Sequence, residues 1–524
     1  MKKLAVDMSS FGTIIRDDYL YIDKTQYIYE MVSKGKYYFL SRPRRFGKSL
    51  TVSTLEALFK GEKELFEGLY IEGKYREWDE YPIIKLDFNR IANDTSEKLK
   101  KNLKEELMLI SKKYEIDLLL DDPENMFKNL IEKLSEKYKK GVVILVDEYD
   151  KPIISHLGEE KEKLDIGKAN REILKVFYDN LKPLEDYIRF VFITGVSKFS
   201  KVSIFSTLNN LIELDIHQDF ATFLGYTKEE LHKYFDEYIE MVAKSNSISK
   251  EEMYLKIKEK YNGFRFTEEE YSVYNPFSIG RLCIYKKLKN YWFESGTPTF
   301  LVNLMKARNY DVTEMENLEL EENSIIAYDI ERLQLEPLMF QTGYLTIKDY
   351  EYGIYKLGYP NKEVEQGFTE QLISSYVGKN EGVTSIKMMR HFARGEYEEY
   401  FELMKGLFAK IPYILISKDL EKRELYYHSI FYMINILMKD YGYRVYAEVL
   451  TNKGRIDMVI ETKDMIHIVE FKCNQNVDIA IKQIREKGYA KRYMDMGKEI
   501  YLVGVNFDTE KKNISEWKME KREG

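Results

Sequence analysis

Lys36-Tyr37-Tyr38-Phe39-Leu40-Ser41-Arg42-Pro43-Arg44-Arg45-Phe46-Gly47-Lys48-Ser49-Leu50 runs from an apolar, aromatic stretch through a short basic turn into Gly-Lys-Ser. Leu50, Val52, Leu55, Leu58 and Phe59 then recur at helical spacing. Strand, turn, Gly-Lys-Ser and helix together suit the phosphates of a nucleoside triphosphate. Backbone N–H groups of the turn and of the helix N-terminus face the anion, Lys48 reaches the β- and γ-phosphates, and the Ser49 hydroxyl is a ligand for Mg²⁺. The consensus G-x-x-x-x-G-K-[ST] has Arg42 where its first glycine belongs. Taken alone, Gly-Lys-Ser is equally a chance combination at a helix start.

The strands that follow bear on the choice. Pro82–Phe88, Gly141–Glu148 and Ile188–Gly195 are short, almost wholly apolar runs, and Leu211–Ile216 is a candidate for a further strand. Helical periodicity separates them over Asn93–Tyr114, Pro123–Tyr138 and Asn170–Leu181. Buried strands alternating with helices describe a parallel sheet covered on both faces. Asp147 ends one such strand and can hold a Mg²⁺ shell, while Glu148 beside it can orient and deprotonate an attacking water. Thr194 ends the next strand, where a hydroxyl can sit beside a γ-phosphate. Each of these alone is also what a strand leaving the core for solvent looks like. Their order on three strand ends points to nucleotide binding.

The bulk numbers bound the alternatives. A chain of 524 residues, 44% hydrophobic and 32% charged, is too long for one core and fits two to four domains. Its formal net charge of −7 argues against a surface coated with cations for nucleic acid, but leaves room for a local basic groove. Cys283 and Cys473 fit no metal-ligand spacing and suit a reducing compartment. Asp7 interrupts the N-terminus before any signal-peptide stretch, and the apolar run Tyr426–Met438 is too short to span a bilayer. The expectation is a cytoplasmic protein with no membrane partner.

The last hundred residues read as a separate α/β unit. A helix over Glu424–Asp440 precedes strands at Tyr443–Leu450, Arg455–Glu461 and Met465–Lys472, and a helix over Ile479–Met494 leads to a strand at Glu499–Val505. In a hairpin turning near Lys463, Asp457 falls opposite Val469 or Glu470, while Glu470 and Lys472 share one face. Two carboxylates and an amine meeting at a sheet edge suit phosphodiester hydrolysis. Hard oxygen ligands hold Mg²⁺ or Mn²⁺, and the lysine steadies the nucleophile or the developing charge. Glu448, on the preceding strand, can add a third carboxylate ligand. Gln483 opens the next helix, beside the basic run Lys482, Arg485, Lys487, Lys491 and Arg492 with Tyr489 and Tyr493. That run can meet a phosphate backbone; a solvated hairpin and a charged helix face are the plainer alternatives.

Two family resemblances rest on these residues. Residues 1–290 resemble the AAA-ATPase-like family of prokaryotic P-loop proteins. The matching segments are Tyr21–Thr25, Arg42–Ser49, Val146–Pro152, Phe192–Ser200, Tyr261–Phe264 and Tyr274–Phe277. Arg-Pro-Arg-Arg-Phe-Gly-Lys-Ser is that family's usual form of the loop. The resemblance implies Mg-ATP bound by Lys48 and Ser49, with Asp147 metal-linked and Glu148 activating water. Arg42, Arg45, Gly47 and Thr194 complete the expected nucleotide contacts, a solvated basic turn being the alternative for Arg44 and Arg45. Arg265 is a candidate lid arginine.

Residues 420–515 resemble the PD-(D/E)XK nuclease superfamily through His428–Tyr432, Gly454–Asp457, Glu470–Lys472, Gln483-Ile484 and Lys487–Tyr489. This likeness implies Asp457 and Glu470 as metal ligands, Lys472 as catalytic and Gln483 as a supporting residue. Ile456 stands where the motif has proline, and Glu424 is a candidate for the acid of the first helix.

The expected architecture is α/β: a P-loop NTPase parallel sheet with a helical lid, a helical middle, and a restriction-endonuclease-like α/β domain. The expected boundaries are 1–225 for the ATPase core, 226–300 for its lid, 301–419 for a mostly helical connection with turns at Gly343, Gly353 and Gly358, and 420–524 for the nuclease-like domain. The implied function is ATP binding that controls cleavage of nucleic acid, with DNA expected and a homo-oligomer compatible. The alternative is an ATP-switched sensor or remodelling protein whose C-terminal domain binds nucleic acid or a partner without cutting.

Overall fold

A strand covered on both faces needs apolar side chains at consecutive positions, and Val142–Asp147 is buried at all six. In the computed structural model this strand belongs to a five-stranded parallel sheet. Its members are β1 (Tyr37–Ser41), β2 (Ile83–Asp87), β3 (Val142–Asp147), β4 (Ile188–Gly195) and β5 (Ile212–Glu213), in the order β2-β3-β4-β1-β5. The fifth strand is only two residues long, a fragment of the expected Leu211–Ile216.

The structure describes residues 1–522 except 159, 199–203, 206, 207, 209, 295–298, 309, 317, 327–332, 378–381, 412–419 and 452. At 299, 307, 314, 316, 323, 326, 377, 382, 383, 385, 420–426, 440 and 441 it describes the backbone alone. Phe199 and Ser200 of the matched segments, and the Glu424 side chain, therefore lie outside the described residues. The chain forms two compact units, Met1–Gly296 with Glu319–Val364, and Thr297–Leu318 with Glu365–Gly524. Among the described residues no helix is long and apolar enough to cross a membrane.

In the first unit, helix α1 (Lys48–Phe59) packs its Val52, Leu55 and Phe59 side into the core, where Phe59 meets Phe190 of β4 at 5.2 Å between ring centroids. The helix over Pro123–Tyr138 has the expected bounds. The one expected from Asn93 starts at Ser96, capped by the Thr95 hydroxyl, and the one expected from Asn170 begins earlier, at Lys161. Three further helices, Lys228–Ser245, Lys250–Tyr261 and Pro276–Tyr285, share a core around Leu231, Phe235, Ile239, Ile257, Tyr261 and Leu282. Leu4, Val6 and Leu20 pack against the same core, which draws the N-terminal segment to these helices. The turn after Tyr261 needs Gly263. Its φ is +97°, and a Cβ there would lie 2.1 Å from the Pro360 carbonyl oxygen.

Within the mostly helical middle, Thr346–Glu351 and Ile354–Gly358 pair as an antiparallel hairpin. Its two-residue turn, Tyr352-Gly353, has positive φ at both positions. The turn at Gly353 was legible, but no sustained alternation announced the strands, because the adjacent Lys348 and Asp349 interrupt it.

The second unit holds β6 (Arg444–Thr451), β7 (Gly454–Glu461), β8 (Met465–Cys473), β9 (Glu499–Asp508) and β10 (Asn513–Lys521) in sequential order. All neighbours are antiparallel except β8 and β9. A parallel pair needs a crossover, and helix α3 (Val477–Lys487) supplies it, burying Ala480, Ile481 and Ile484. Helix α2 (Leu420–Ile436) precedes the sheet. The helix expected to run to Met494 stops at Gly488, whose φ of +63° reverses the chain, and a 3₁₀ segment, Tyr489–Met496, follows. β10 was not anticipated, although Glu516, Lys518 and Glu520 alternate with Trp517 and Met519 along it at the period of a strand.

One buried carboxyl in the first unit is open to test. Glu363 is fully buried, accepting from the Ser278 hydroxyl at 2.7 Å and the Trp292 N–H at 3.0 Å. Burial pushes it up to about 7, against the pull of those hydrogen bonds and of Lys260. A raised carboxyl keeps its proton in the folded state while the unfolded chain releases one, so stability is highest below the usual carboxylate range and falls as pH rises through about 7. Glu363→Gln retains an acceptor without the titration. It should unfold at higher urea than the wild type at pH 8, by up to about 3 kcal/mol, with the gap closing near pH 4.5.

Candidate functional sites

The first site is built where β1 ends. Gly47 caps α1 with φ +103°, and no side chain caps this helix end, so the N–H groups of its first turn are left for a ligand. Lys48 is buried; its ammonium donates to the carbonyls of Arg42 (3.0 Å) and Pro43 (3.2 Å) and lies 3.5 Å from Glu148 Oε1. Ser49 lies close to Asp147, the last residue of β3. Burial is the main cause that lifts the Asp147 carboxyl to about 6, the nearby Ser49 hydroxyl opposing it and Glu148 adding to it. Asp147 Oδ1 is buried with no hydrogen-bond partner among the described residues. An orphaned carboxylate oxygen beside a serine hydroxyl fits a hard cation that keeps most of its waters.

Gly47, Lys48, Ser49 and Glu148 line a cavity of about 490 Å³, within the range of small-molecule sites. Its other wall is apolar, made by Val6, Ile22, Leu224, Tyr226, Phe235 and Phe277. Arg44 and Arg45 also line it, and Asp7 ion-pairs both Arg45, at 3.0 Å, and Arg281. Asp7 carried no signal in the sequence, because only the fold brings residues 7, 45 and 281 together.

Four expected residues do not line this cavity; the first, Asp147, lines a neighbouring one of about 530 Å³ that shares Ser49 with it. Arg42 is buried and donates to the carbonyls of Ser41, Asp215 and Phe220, its guanidinium 4.2 Å above the Phe266 ring. Burial pulls it down to about 9. Thr194 donates to the Leu40 carbonyl at 2.8 Å, tying β4 to β1. Arg265 spends its side chain on the carbonyls of Thr267, Glu268 and Lys348. Asp150 takes a part that the sequence did not single out. Fully buried, it accepts from the N–H groups of Val196 and Ser197 and from the Ser197 hydroxyl. Burial, seconded by Glu148, raises it to about 6.

The second site sits where β7 and β8 part. Their ladder pairs Met458 with Val469 and stops there, so Asp457 falls in line with Glu470. Past that point the Asp457 carboxylate replaces a backbone carbonyl, accepting from the Phe471 N–H at 2.7 Å. Glu470 is almost fully buried, and its Oε1 accepts from the Lys472 ammonium at 3.0 Å and from the Gln483 amide on α3. Lys472 also donates to the Phe471 carbonyl at 2.9 Å. The structure thus brings together Asp457, Glu470, Lys472 and Gln483.

Glu448 has φ +53° and lies between Ala447 and Val449, which pair with Met458 and Ile456. It therefore stands opposite Asp457, but its carboxylate is engaged by His428 at 3.2 Å and by Arg455. Burial raises it most, with Asp457 and Asp311 adding, against His428 and Arg455. The other nitrogen of His428 is 3.0 Å from the Asp457 carbonyl, a bridging part that a sequence motif could not assign. Among the described residues no three His, Cys, Asp or Glu side chains close on a common point. The carboxylates that could hold an ion here are Asp457 and Glu470, a pair compatible with Mg²⁺ that retains several waters.

Comparison with known proteins follows the same division. The model of a family described as predicted AAA-ATPase matches residues 5–205, and that of the PD-(D/E)XK nuclease superfamily matches residues 422–517. Over 523 residues the chain is 32% identical to an uncharacterized protein in the vnfD 5′ region of Azotobacter chroococcum mcd 1, with 98% of each chain covered. No solved structure matches the chain.

The place of Arg42 makes a discriminating prediction. Arg42→Ala leaves buried carbonyls unpaired and opens a cavity, and should cost roughly 2–4 kcal/mol of stability in urea unfolding. Nucleotide affinity of the folded protein, measured by fluorescent-analogue titration at low temperature, should change less than about threefold.

Proposed function

The chain belongs to the family of that Azotobacter protein, AAA-ATPase-like toward its N-terminal end and carrying a PD-(D/E)XK nuclease superfamily domain toward its C-terminal end; from this we propose that it binds ATP and cleaves nucleic acid under nucleotide control. The observation that carries the first half is the uncapped N-terminus of α1 with Lys48 and Glu148 facing one cavity. The first-turn N–H groups and Lys48 bind the phosphates, and the apolar wall takes the base. Ser49 and Asp147 would hold Mg²⁺, which supplies charge to the phosphate oxygens when bound. Glu148 orients the attacking water.

For the second half the carrying observation is the convergence of Asp457, Glu470 and Lys472 at the parting of two strands. Asp457 and Glu470 would hold Mg²⁺ or Mn²⁺, which when bound polarises the scissile phosphate. Gln483 and the Phe471 N–H fix the orientation of the two carboxylates. Lys472 stands ready to stabilise charge on the attacking or leaving oxygen. DNA is the favoured substrate and the cytoplasm the favoured setting, and self-assembly is compatible with this reading.

Lys48→Ala should weaken binding of an ATP analogue at least tenfold, read by fluorescence titration below the unfolding transition, with a lowered urea midpoint because the Arg42 and Pro43 carbonyls lose their donor. Plasmid nicking with Mg²⁺ or Mn²⁺ tests the other site. Asp457→Asn should abolish it while leaving nucleic-acid binding within about threefold. Nicking that survives Lys48→Ala unchanged would remove nucleotide control from the reading. A protein that binds nucleic acid and never nicks it would be an ATP-switched sensor instead.

A further inference from the structure

Beside the Asp457–Glu470 pair lies a cleft of about 600 Å³, lined by Leu450, Thr451, Lys453, Lys487, Gly488, Tyr489, Lys491 and Arg492. Four of the eight are cations and none is an acid. Among the described residues none of the four forms an ion pair; Arg492 donates to the Leu450 carbonyl at 2.7 Å. Several cations elsewhere in the same unit are neutralised. Lys482 pairs with Glu486, Arg485 with Glu520, Lys498 with Glu461, and Lys518 with Asp478. In a chain of net charge −7, four unneutralised cations gathered in one concavity concentrate a positive field there.

The concavity arises from the backbone. Gly488 ends α3 in the left-handed region, and the 3₁₀ segment that follows turns Lys491 and Arg492 back toward the β6–β7 turn that carries Lys453. On α3 itself Lys482 and Arg485 lie three residues apart on one face, while Lys487 is turned by about 140° from Lys482 and reaches the cleft. The Gly488 turn then brings Lys491 and Arg492 to the same cleft as Lys487. Tyr489 joins the cleft to the acids. It lines the cleft, donates to the Arg455 carbonyl at 2.8 Å, and lies close to Gln483, which in turn holds Glu470.

We propose that this cleft is the track for the sugar–phosphate backbone of a nucleic acid, with Lys453, Lys487, Lys491 and Arg492 contacting successive phosphates and Tyr489 marking its end at the Asp457–Glu470 site. The proposal rests on the nuclease reading and adds where the strand runs. Four phosphate contacts correspond to a salt slope of about −3.6 for duplex DNA and about −2.8 for a single strand.

The test uses the full chain and fluorescein-labelled 30-mers of duplex DNA, single-stranded DNA and RNA, with anisotropy read in Ca²⁺ from 50 to 300 mM KCl. Replacing Lys453, Lys487, Lys491 and Arg492 together by Gln should weaken binding of the preferred form at least tenfold and remove about three units of salt slope. The paired cations serve as the control: Lys482→Gln with Arg485→Gln should stay within threefold. Single variants Lys453→Gln and Lys491→Gln, each with an unchanged urea midpoint, should lower the slope by about one unit apiece. A fourfold variant that binds like the wild type, with the same slope, overturns the track; metal-dependent nicking lost on Asp457→Asn would then leave the nuclease reading standing. Wild-type protein that binds none of the three probes overturns both.

Discussion

Strands β1 and β3 never touch; β4 lies between them and hydrogen-bonds to both. The first site depends on that arrangement. Parallel pairing in register brings the three carboxyl ends level: Ser41 sits beside Gly195, and Val146 beside Ile193. Bonds beyond the strands lock the same edge, from the Arg42 N–H to the Gly195 carbonyl, from Tyr149 N–H to Thr194, and from Val196 and Ser197 to the Asp150 carboxylate. A sheet buried on both faces can expose polar groups only at its ends. Lys48, Ser49, Asp147 and Glu148 therefore share one edge although a hundred residues separate the two pairs.

Arg42 and Thr194 show how that edge is built as well as what it presents. A guanidinium among buried carbonyls, and a hydroxyl donating across two strands, use polar side chains to complete backbone hydrogen bonding where the chain leaves the ladder. The second unit uses the same device at its own site. β7 and β8 separate at Met458, and the Asp457 carboxylate satisfies the Phe471 N–H that the ladder leaves behind. Where the strands part, the residue that mends the gap is Asp457, one of the two acids brought together there.

Much of this was legible beforehand. Continuous apolar runs marked β2, β3 and β4, because burial on both faces leaves no polar positions to blur the period. Gly47-Lys48-Ser49 stood at a helix start, Asp147-Glu148 at a strand end, and Asp457 with Glu470 and Lys472 on a hairpin, all places where chemistry is expected. What escaped was conformation that apolar pattern does not encode. β10 sets just Trp517 and Met519 between Glu516, Lys518 and Glu520, the Thr346–Gly358 hairpin turns on an uncommon Tyr-Gly pair, and the Gly488 break falls inside an unbroken amphipathic pattern. The bridging parts of Asp7, Asp150 and His428 also escaped, since each joins residues far apart in the chain.

Sequence by itself determined the elements and the chemical types at their ends: which runs are buried, where a helix begins on Gly-Lys-Ser, which carboxylates and lysines alternate on a hairpin. These follow from local periodicity and from short-range backbone preferences. Tertiary structure decided which of the polar groups face a cavity. Arg42 and Arg45 are three residues apart and equally basic, yet one fills the protein interior and the other lines the candidate nucleotide cavity. Lys482 and Lys491 lie in one basic run, yet one is paired with a glutamate and the other lines an acid-free cleft. Whether a cation is neutralised depends on carboxylates and carbonyls contributed by distant strands, and only the folded chain assembles them.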